Sequence, residues 1–122
     1  MKIAISLEED KGLDSPASSV FGRCPFFMLI DADSKKYEIH ENPARQATGG
    51  AGIQAAQWVL DQGAEIVISG NLGPKAFSVL SAGQIGAYQH TGGSAETVLQ
   101  SFQDDTLTCL LAPNVDAHSG TV

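Results

Sequence analysis

Short apolar runs and stripes of helical period take turns along this chain. Ile3-Ala4-Ile5-Ser6-Leu7 is a compact apolar run of the kind that forms a buried strand. Phe26-Phe27-Met28-Leu29-Ile30-Asp31 is a second such run. Ala32-Asp33-Ser34-Lys35 carries turn chemistry, and Lys36-Tyr37-Glu38-Ile39-His40-Glu41 then alternates polar and apolar residues. The pair predicts a hairpin whose return strand has one solvated face, as an edge strand does. Asn42-Pro43 ends it. Residues 8–23, rich in Asp, Ser and Gly, read as a long loop, a class that often carries function.

The period then changes. Gly49-Gly50-Ala51-Gly52 runs into a stripe of Ile53, Ala56, Val59 and Leu60, which predicts a helix over 51–61 closed near Gly63. Ala64-Glu65-Ile66-Val67-Ile68-Ser69 reads as a buried strand, and Pro74 suits the first turn of a helix running through Leu80. Ile85-Gly86-Ala87-Tyr88 is a last short strand. Ala95, Val98, Leu99 and Phe102 form an amphipathic helical face behind Ser94 as N-cap. Beyond Asp104 the pattern fades; residues 107–111 have the make-up of a short strand, and 105–122 are expected as a loose end of one single domain.

This order predicts an α/β fold with a mixed five-stranded sheet and about three helices. Right-handed crossovers give the spatial order 3-2-1-4-5 with the second strand antiparallel. The carboxyl ends of strands one, three, four and five then share one edge of the sheet with the start of strand two. That edge gathers loop 8–23, Cys24 and the glycine turns at 48–52, 70–73 and 90–93. Open α/β sheets bind ligands at this edge.

Charge narrows the ligands. The chain of 122 residues has a net charge of −7, and no Lys or Arg follows Lys75. Nucleic-acid binding needs Lys and Arg to neutralise phosphates, so this balance argues against it. No apolar run approaches the length of a membrane span, and the opening run is too short for the core of a signal peptide. The expectation is a cytoplasmic protein without a membrane partner, monomeric or homodimeric.

The candidate chemistries are then few. Gly50-Ala51-Gly52-Ile53-Gln54-Ala55 fits the dinucleotide fingerprint formally, but it follows a hairpin strand and no acidic residue ends the next strand. Two-metal nuclease chemistry requires clustered carboxylates, and neither the first strand nor residues 51–60 carry one. A Cys24–His90 nucleophile lacks an orienting third group. Metal or cluster binding at the edge is left, with Cys24 and His90 as candidate ligands, beside the plain reading of Cys24 as a small buried packing residue. A complete iron–sulfur site takes about four thiolates; the chain has Cys24 and Cys109 only, with no CxxC pair. Backbone N–H groups at Gly49, Gly50, Gly52, Gly70, Gly73, Gly92 and Gly93, with the cation of Arg23, would oppose the charge of an anionic ligand.

Val20-Phe21-Gly22-Arg23-Cys24-Pro25-Phe26-Phe27, Glu41-Asn42-Pro43-Ala44, Gly49-Gly50-Ala51-Gly52-Ile53-Gln54-Ala55-Ala56, Ile68-Ser69-Gly70-Asn71-Leu72-Gly73-Pro74-Lys75-Ala76-Phe77 and Thr91-Gly92-Gly93 together resemble the dinitrogenase iron–molybdenum cofactor biosynthesis family, the NifX-like proteins and related domains. The resemblance covers nearly the whole chain in order. It implies a ribonuclease H-like fold without nuclease activity. It also implies a non-catalytic carrier of an iron–sulfur or iron–molybdenum cluster, bound transiently and exchanged with cluster donor and acceptor proteins. One departure stands out: Val20 occupies a place where family members often carry His, which removes one ligand from the implied site. The alternative is a non-metal module on the same fold, for a small anion or a partner protein.

Overall fold

A computed structural model describes residues 1–113. Its elements are β1 (Lys2–Leu7), β2 (Phe26–Asp31), β3 (Tyr37–Glu41), α1 (Ala51–Asp61), β4 (Ile66–Ser69), α2 (Pro74–Ala82), β5 (Gly86–Gln89), α3 (Ala95–Gln103) and β6 (Thr108–Cys109). They build a mixed α/β fold around one sheet of order β3-β2-β1-β4-β5-β6. The expectation of five strands is corrected to six. The additional strand is β6, two exposed residues antiparallel to β5 and secured by the Leu110 N–H donating to the Ala87 carbonyl at 2.8 Å. It falls inside the run 107–111, whose make-up suggests a short strand but whose two paired residues are too few to show a period and so to earn a place in the expected sheet order. Residues 114–122, including His118 of the expected loose end, lie outside the described residues.

β2 runs antiparallel to β1 and β3, while β1, β4 and β5 are mutually parallel. β1, β2 and β4 bury both faces, as their near-continuous apolar sequences require, while the alternating edge strand β3 stays partly solvated. On one face Ala4, Phe27, Leu29, Val67 and Ala87 meet Ala55, Ala56 and Val59 of α1 and Ala76 and Leu80 of α2. On the other, Ile3, Ile5, Met28, Ile30 and Ile68 meet Ala95, Val98 and Leu99 of α3. Each fully buried large aliphatic contributes about 1.5–3 kcal/mol of transfer free energy. Strand alternation divides the two cores, since neighbours along a strand point to opposite faces.

α1 turns its small side chains inward. Ala51, Gly52, Ala55, Ala56 and Val59 are buried, whereas Ile53, expected on the core stripe, is 41% exposed. Trp58 flanks the helix and stacks on Phe27 with ring centroids 5.6 Å apart.

Segment 8–23 is a strap that the rest of the protein holds firmly. Its Leu7↔Ala17 and Pro16↔Ser94 bridges join it to β1 and to the turn before α3. Phe21 at its end is fully buried, edge-on to Phe27 at 5.3 Å. No helix among the described residues is long and apolar enough to cross a membrane.

Candidate functional site

The parallel strands β1, β4 and β5 end at one edge, and α1 and α2 begin there. α1 starts from Gly50, which sits in the left-handed region (φ 67°) and offers no side-chain cap. Glycine adopts that conformation without the Cβ penalty of other residues. The first acceptor used inside the helix is the Gly50 carbonyl, bound by the Gln54 N–H at 3.0 Å. The N–H groups of Ala51, Gly52 and Ile53 therefore have no acceptor among the described residues.

α2 is built the same way. Gly73 is its N-cap without a side-chain bond, Pro74 has no N–H to satisfy, and the first turn closes with Phe77 N–H to Gly73 carbonyl at 3.0 Å. The Lys75 and Ala76 N–H groups are left without an acceptor among the described residues. A cavity of about 210 Å³ lies against these starts, lined by Gly50, Gly52, Ile53 and Lys75. Open N–H groups and the positive helix ends favour an anion. The Lys75 ammonium adds a full charge, and an alanine methyl at Gly49 or Gly50 would meet nothing within 4 Å. Lys75, Arg23 and Arg45 form no ion pair among the described residues.

α3 differs. Its Ala95 N–H donates to the Ser15 carbonyl at 2.8 Å, its Glu96 N–H to the Leu13 carbonyl at 3.0 Å, and its Thr97 N–H to Ser94 Oγ at 3.1 Å. The strap fills the start of this helix with its own carbonyls. Gly93 belongs to that arrangement, its carbonyl taking the Ala17 N–H at 2.9 Å.

His90 is 5% exposed, and both of its ring nitrogens are engaged. Nε2 lies 2.8 Å from the Ser18 carbonyl and so carries the proton; Nδ1 accepts from the Gly92 N–H at 2.9 Å. Burial lowers its pKa, partly offset by the bond to Ser18. The ring is thus a neutral brace between the strap and the 90–93 turn, its one free ring lone pair, on Nδ1, already taken by the Gly92 N–H. The Ser18 carbonyl also takes the Gly70 N–H at 3.2 Å and the Ser6 hydroxyl at 3.2 Å. Ser6 and Ser69 hydroxyls meet at 2.9 Å beneath it, and Ser18 Oγ donates to Glu8 Oε2. Gly70 is glycine for space: a Cβ there would lie 2.4 Å from Ser19 Cα.

Cys24 is fully buried. Its thiol donates to the Phe26 carbonyl at 3.3 Å, and desolvation pushes its pKa up to about 12. Asn42 holds this corner by donating to the Gly22 and Cys24 carbonyls (2.9 and 3.0 Å) while accepting from the Ala44 N–H at 2.9 Å. Arg23 is half-buried and donates to the Arg45 carbonyl at 3.2 Å.

The predicted residues therefore divide. Gly49, Gly50, Gly52 and Gly73 stand at the two open helix starts, and Gly70, Gly92, Gly93 and His90 stand in the strapped part of the edge. Cys24 lies below the surface and Arg23 beside Arg45. Lys75 joins the cavity without having been singled out; its place directly after Gly73-Pro74, in the first turn of a helix, was the available signal. Among the described residues no three His, Cys, Asp or Glu side chains gather as a metal site.

The family model for the dinitrogenase iron–molybdenum cofactor matches residues 1–105. The chain belongs to that family. An uncharacterized protein of Methanocaldococcus jannaschii, MJ0580, is 32% identical over 110 residues, spanning 88% of this chain and 89% of that protein. The apo form of the orange protein from Desulfovibrio gigas superposes with a TM-score of 0.89 at 33% identity, over 93% of this chain and 96% of that one. A Thermotoga protein described as a candidate NifB protein gives a TM-score of 0.78 at 29% identity, over 89% and 92% of the two chains. The expectation of the family is thereby met.

Proposed function

We propose that this protein is a non-catalytic carrier of an anionic iron–sulfur or iron–molybdenum type cluster, on a ribonuclease H-like frame extended by a sixth strand. The cargo is preassembled and held without permanent covalent ligation, then passed to acceptor proteins. The observation that carries the reading is the convergence of two uncapped helix starts and the Lys75 side chain on one cavity. Family membership supports a cluster as the cargo, and the electrostatics fit one. A cradle of N–H groups binds a cluster through its charge and its acceptor atoms, and releases it without breaking a metal–thiolate bond.

The donor set supports this mode over direct ligation. A buried Cys24 thiol with a pKa near 12 supplies no thiolate at neutral pH, and His90 has committed both nitrogens. Cys24 and His90 accordingly serve as packing and bracing groups. The same facts favour, as a second reading, a module for a non-metal anion bound at the same cradle.

Anaerobic incubation with a preformed iron–sulfur or iron–molybdenum cluster, followed by desalting, visible absorption and metal analysis, separates the two. The carrier reading expects bound metal that is lowered at least tenfold in Lys75→Glu and kept in Cys24→Ala. Loss of metal in Cys24→Ala with retention in Lys75→Glu refutes the cradle. Absence of metal, with phosphate or molybdate raising the melting temperature, selects the second reading.

A further inference from the structure

The outer edge of β3 is open, and its residues are complementary to themselves. The Asp31 N–H donates to the Lys36 carbonyl at 2.9 Å and the Asn42 N–H to the Pro25 carbonyl at 3.0 Å. Met28 stands opposite Ile39 in the same ladder. Hydrogen-bonded and non-hydrogen-bonded pairs alternate in an antiparallel ladder, so Lys36, Glu38, His40 and Asn42 bond inward to β2. Tyr37, Ile39 and Glu41 present their N–H and C=O groups outward. None of these groups has a partner among the described residues, and β3 is the terminal strand.

We propose that β3 pairs antiparallel with β3 of a second copy of this chain, about a two-fold axis at Ile39. Outward-facing residues must oppose one another, so Ile39 meets Ile39 and Tyr37 meets Glu41. Glu38 then falls opposite His40 of the other copy, at a non-hydrogen-bonded position where side chains approach most closely. Within one chain His40 Nε2 already lies 2.8 Å from Glu38 Oε1, and its ring stands edge-on to Trp58 at 5.6 Å. The two-fold closes these side chains into a ring in which carboxylate and imidazole alternate.

Charge also selects the register. Sliding the pair by two residues one way gives up the Glu38–His40 pairing and sets the Glu41 carboxylate against Ile39; sliding it the other way sets Glu38 against Glu38. Like charges directly opposite destabilise a sheet pair. Only the register centred on Ile39 satisfies the outward hydrogen bonds and matches the side chains on both faces. Tyr37, 42% exposed as a free surface, becomes covered in the pair.

Sedimentation velocity of the full chain from about 5 µM to about 1 mM tests this, a span that covers weak self-association. The expected result is a concentration-dependent dimer. Ile39→Pro deletes an outward N–H at the axis and leaves the inward ladder intact, so it is expected to give a monomer with unchanged circular dichroism. Should that variant lose its fold, Glu38→Lys carries the test: it removes the acceptor of the His40 ring and is expected to weaken the dimer at least tenfold, and Glu38→Lys with His40→Glu to restore it by setting an ammonium opposite a carboxylate. A monomer throughout the range overturns the proposal. So does a dimer indifferent to Glu38→Lys, or a double variant no stronger than the single one.

Discussion

Replacing Gly70 by alanine tests how the strap is seated on the sheet edge. The added Cβ would lie 2.4 Å from Ser19 Cα, 2.7 Å from Ser19 O and 2.9 Å from Ser19 C. All three are backbone atoms, so no rotamer change relieves the contact and the strap itself must move. Overpacking of this kind costs roughly 1–3 kcal/mol. Moving the strap also weakens the Gly70 N–H bond to the Ser18 carbonyl and the His90 bond to the same oxygen, and each such bond contributes about 1 kcal/mol. The expected loss is about 2–4 kcal/mol, read as the shift in urea midpoint at constant m-value. Gly49→Ala is the matched control, since its Cβ would meet nothing within 4 Å; it is expected to change stability by less than about 0.5 kcal/mol. A Gly70→Ala protein as stable as the control would refute the seating of Ser18 and Ser19 on Gly70.

Three further outcomes follow from the same geometry. Asn42→Ala leaves the Gly22 and Cys24 carbonyls and the Ala44 N–H without their partner, and is expected to cost about 2–4 kcal/mol in denaturant titrations. Ellman's reagent is expected to modify Cys109 rapidly in the native protein and Cys24 only on unfolding, since one thiol is exposed and the other is buried with its pKa raised to about 12; fast reaction of both would contradict the packing at Cys24. His90 gives stability a pH dependence of definite sign. Its folded pKa is depressed by burial, so the unfolded chain takes up the extra proton as pH falls below about 6.5. Its contribution is complete above that value and declines below it, and His90→Asn is expected to flatten this part of the profile between pH 8 and pH 5.

Much of the fold is legible in the sequence because its signals are local. Apolar runs mark β1, β2 and β4, strict alternation marks β3, and Ser94 marks the start of α3. The crossover rule then converts element order into strand order. The site is less legible, because a glycine before a helix shows where N–H groups stand but not what fills them. The Thr91-Gly92-Gly93 and Thr48-Gly49-Gly50 turns look alike in sequence. One leads to a helix start closed by Leu13 and Ser15, carbonyls from a distant strap, while the other leads to a start that stays open. His90 and Cys24 carry the same lesson. Their chemical types suggest ligands, but the hydrogen bonds that occupy them come from Ser18, Gly92 and Phe26, and no spacing in the chain announces those contacts. Ile53 fits the apolar stripe yet stands at the mouth of the cavity, because α1 turns its smaller residues to the sheet.

The most direct test of the cradle is amide mapping by ¹⁵N–¹H NMR while the protein is loaded anaerobically with cluster or titrated with molybdate. Shifts or paramagnetic broadening are expected to centre on Ala51, Gly52, Ile53, Lys75 and Ala76 and to be largely lost in Lys75→Glu. Perturbation centred instead on Cys24 and His90, with the starts of α1 and α2 unchanged, would contradict the cradle.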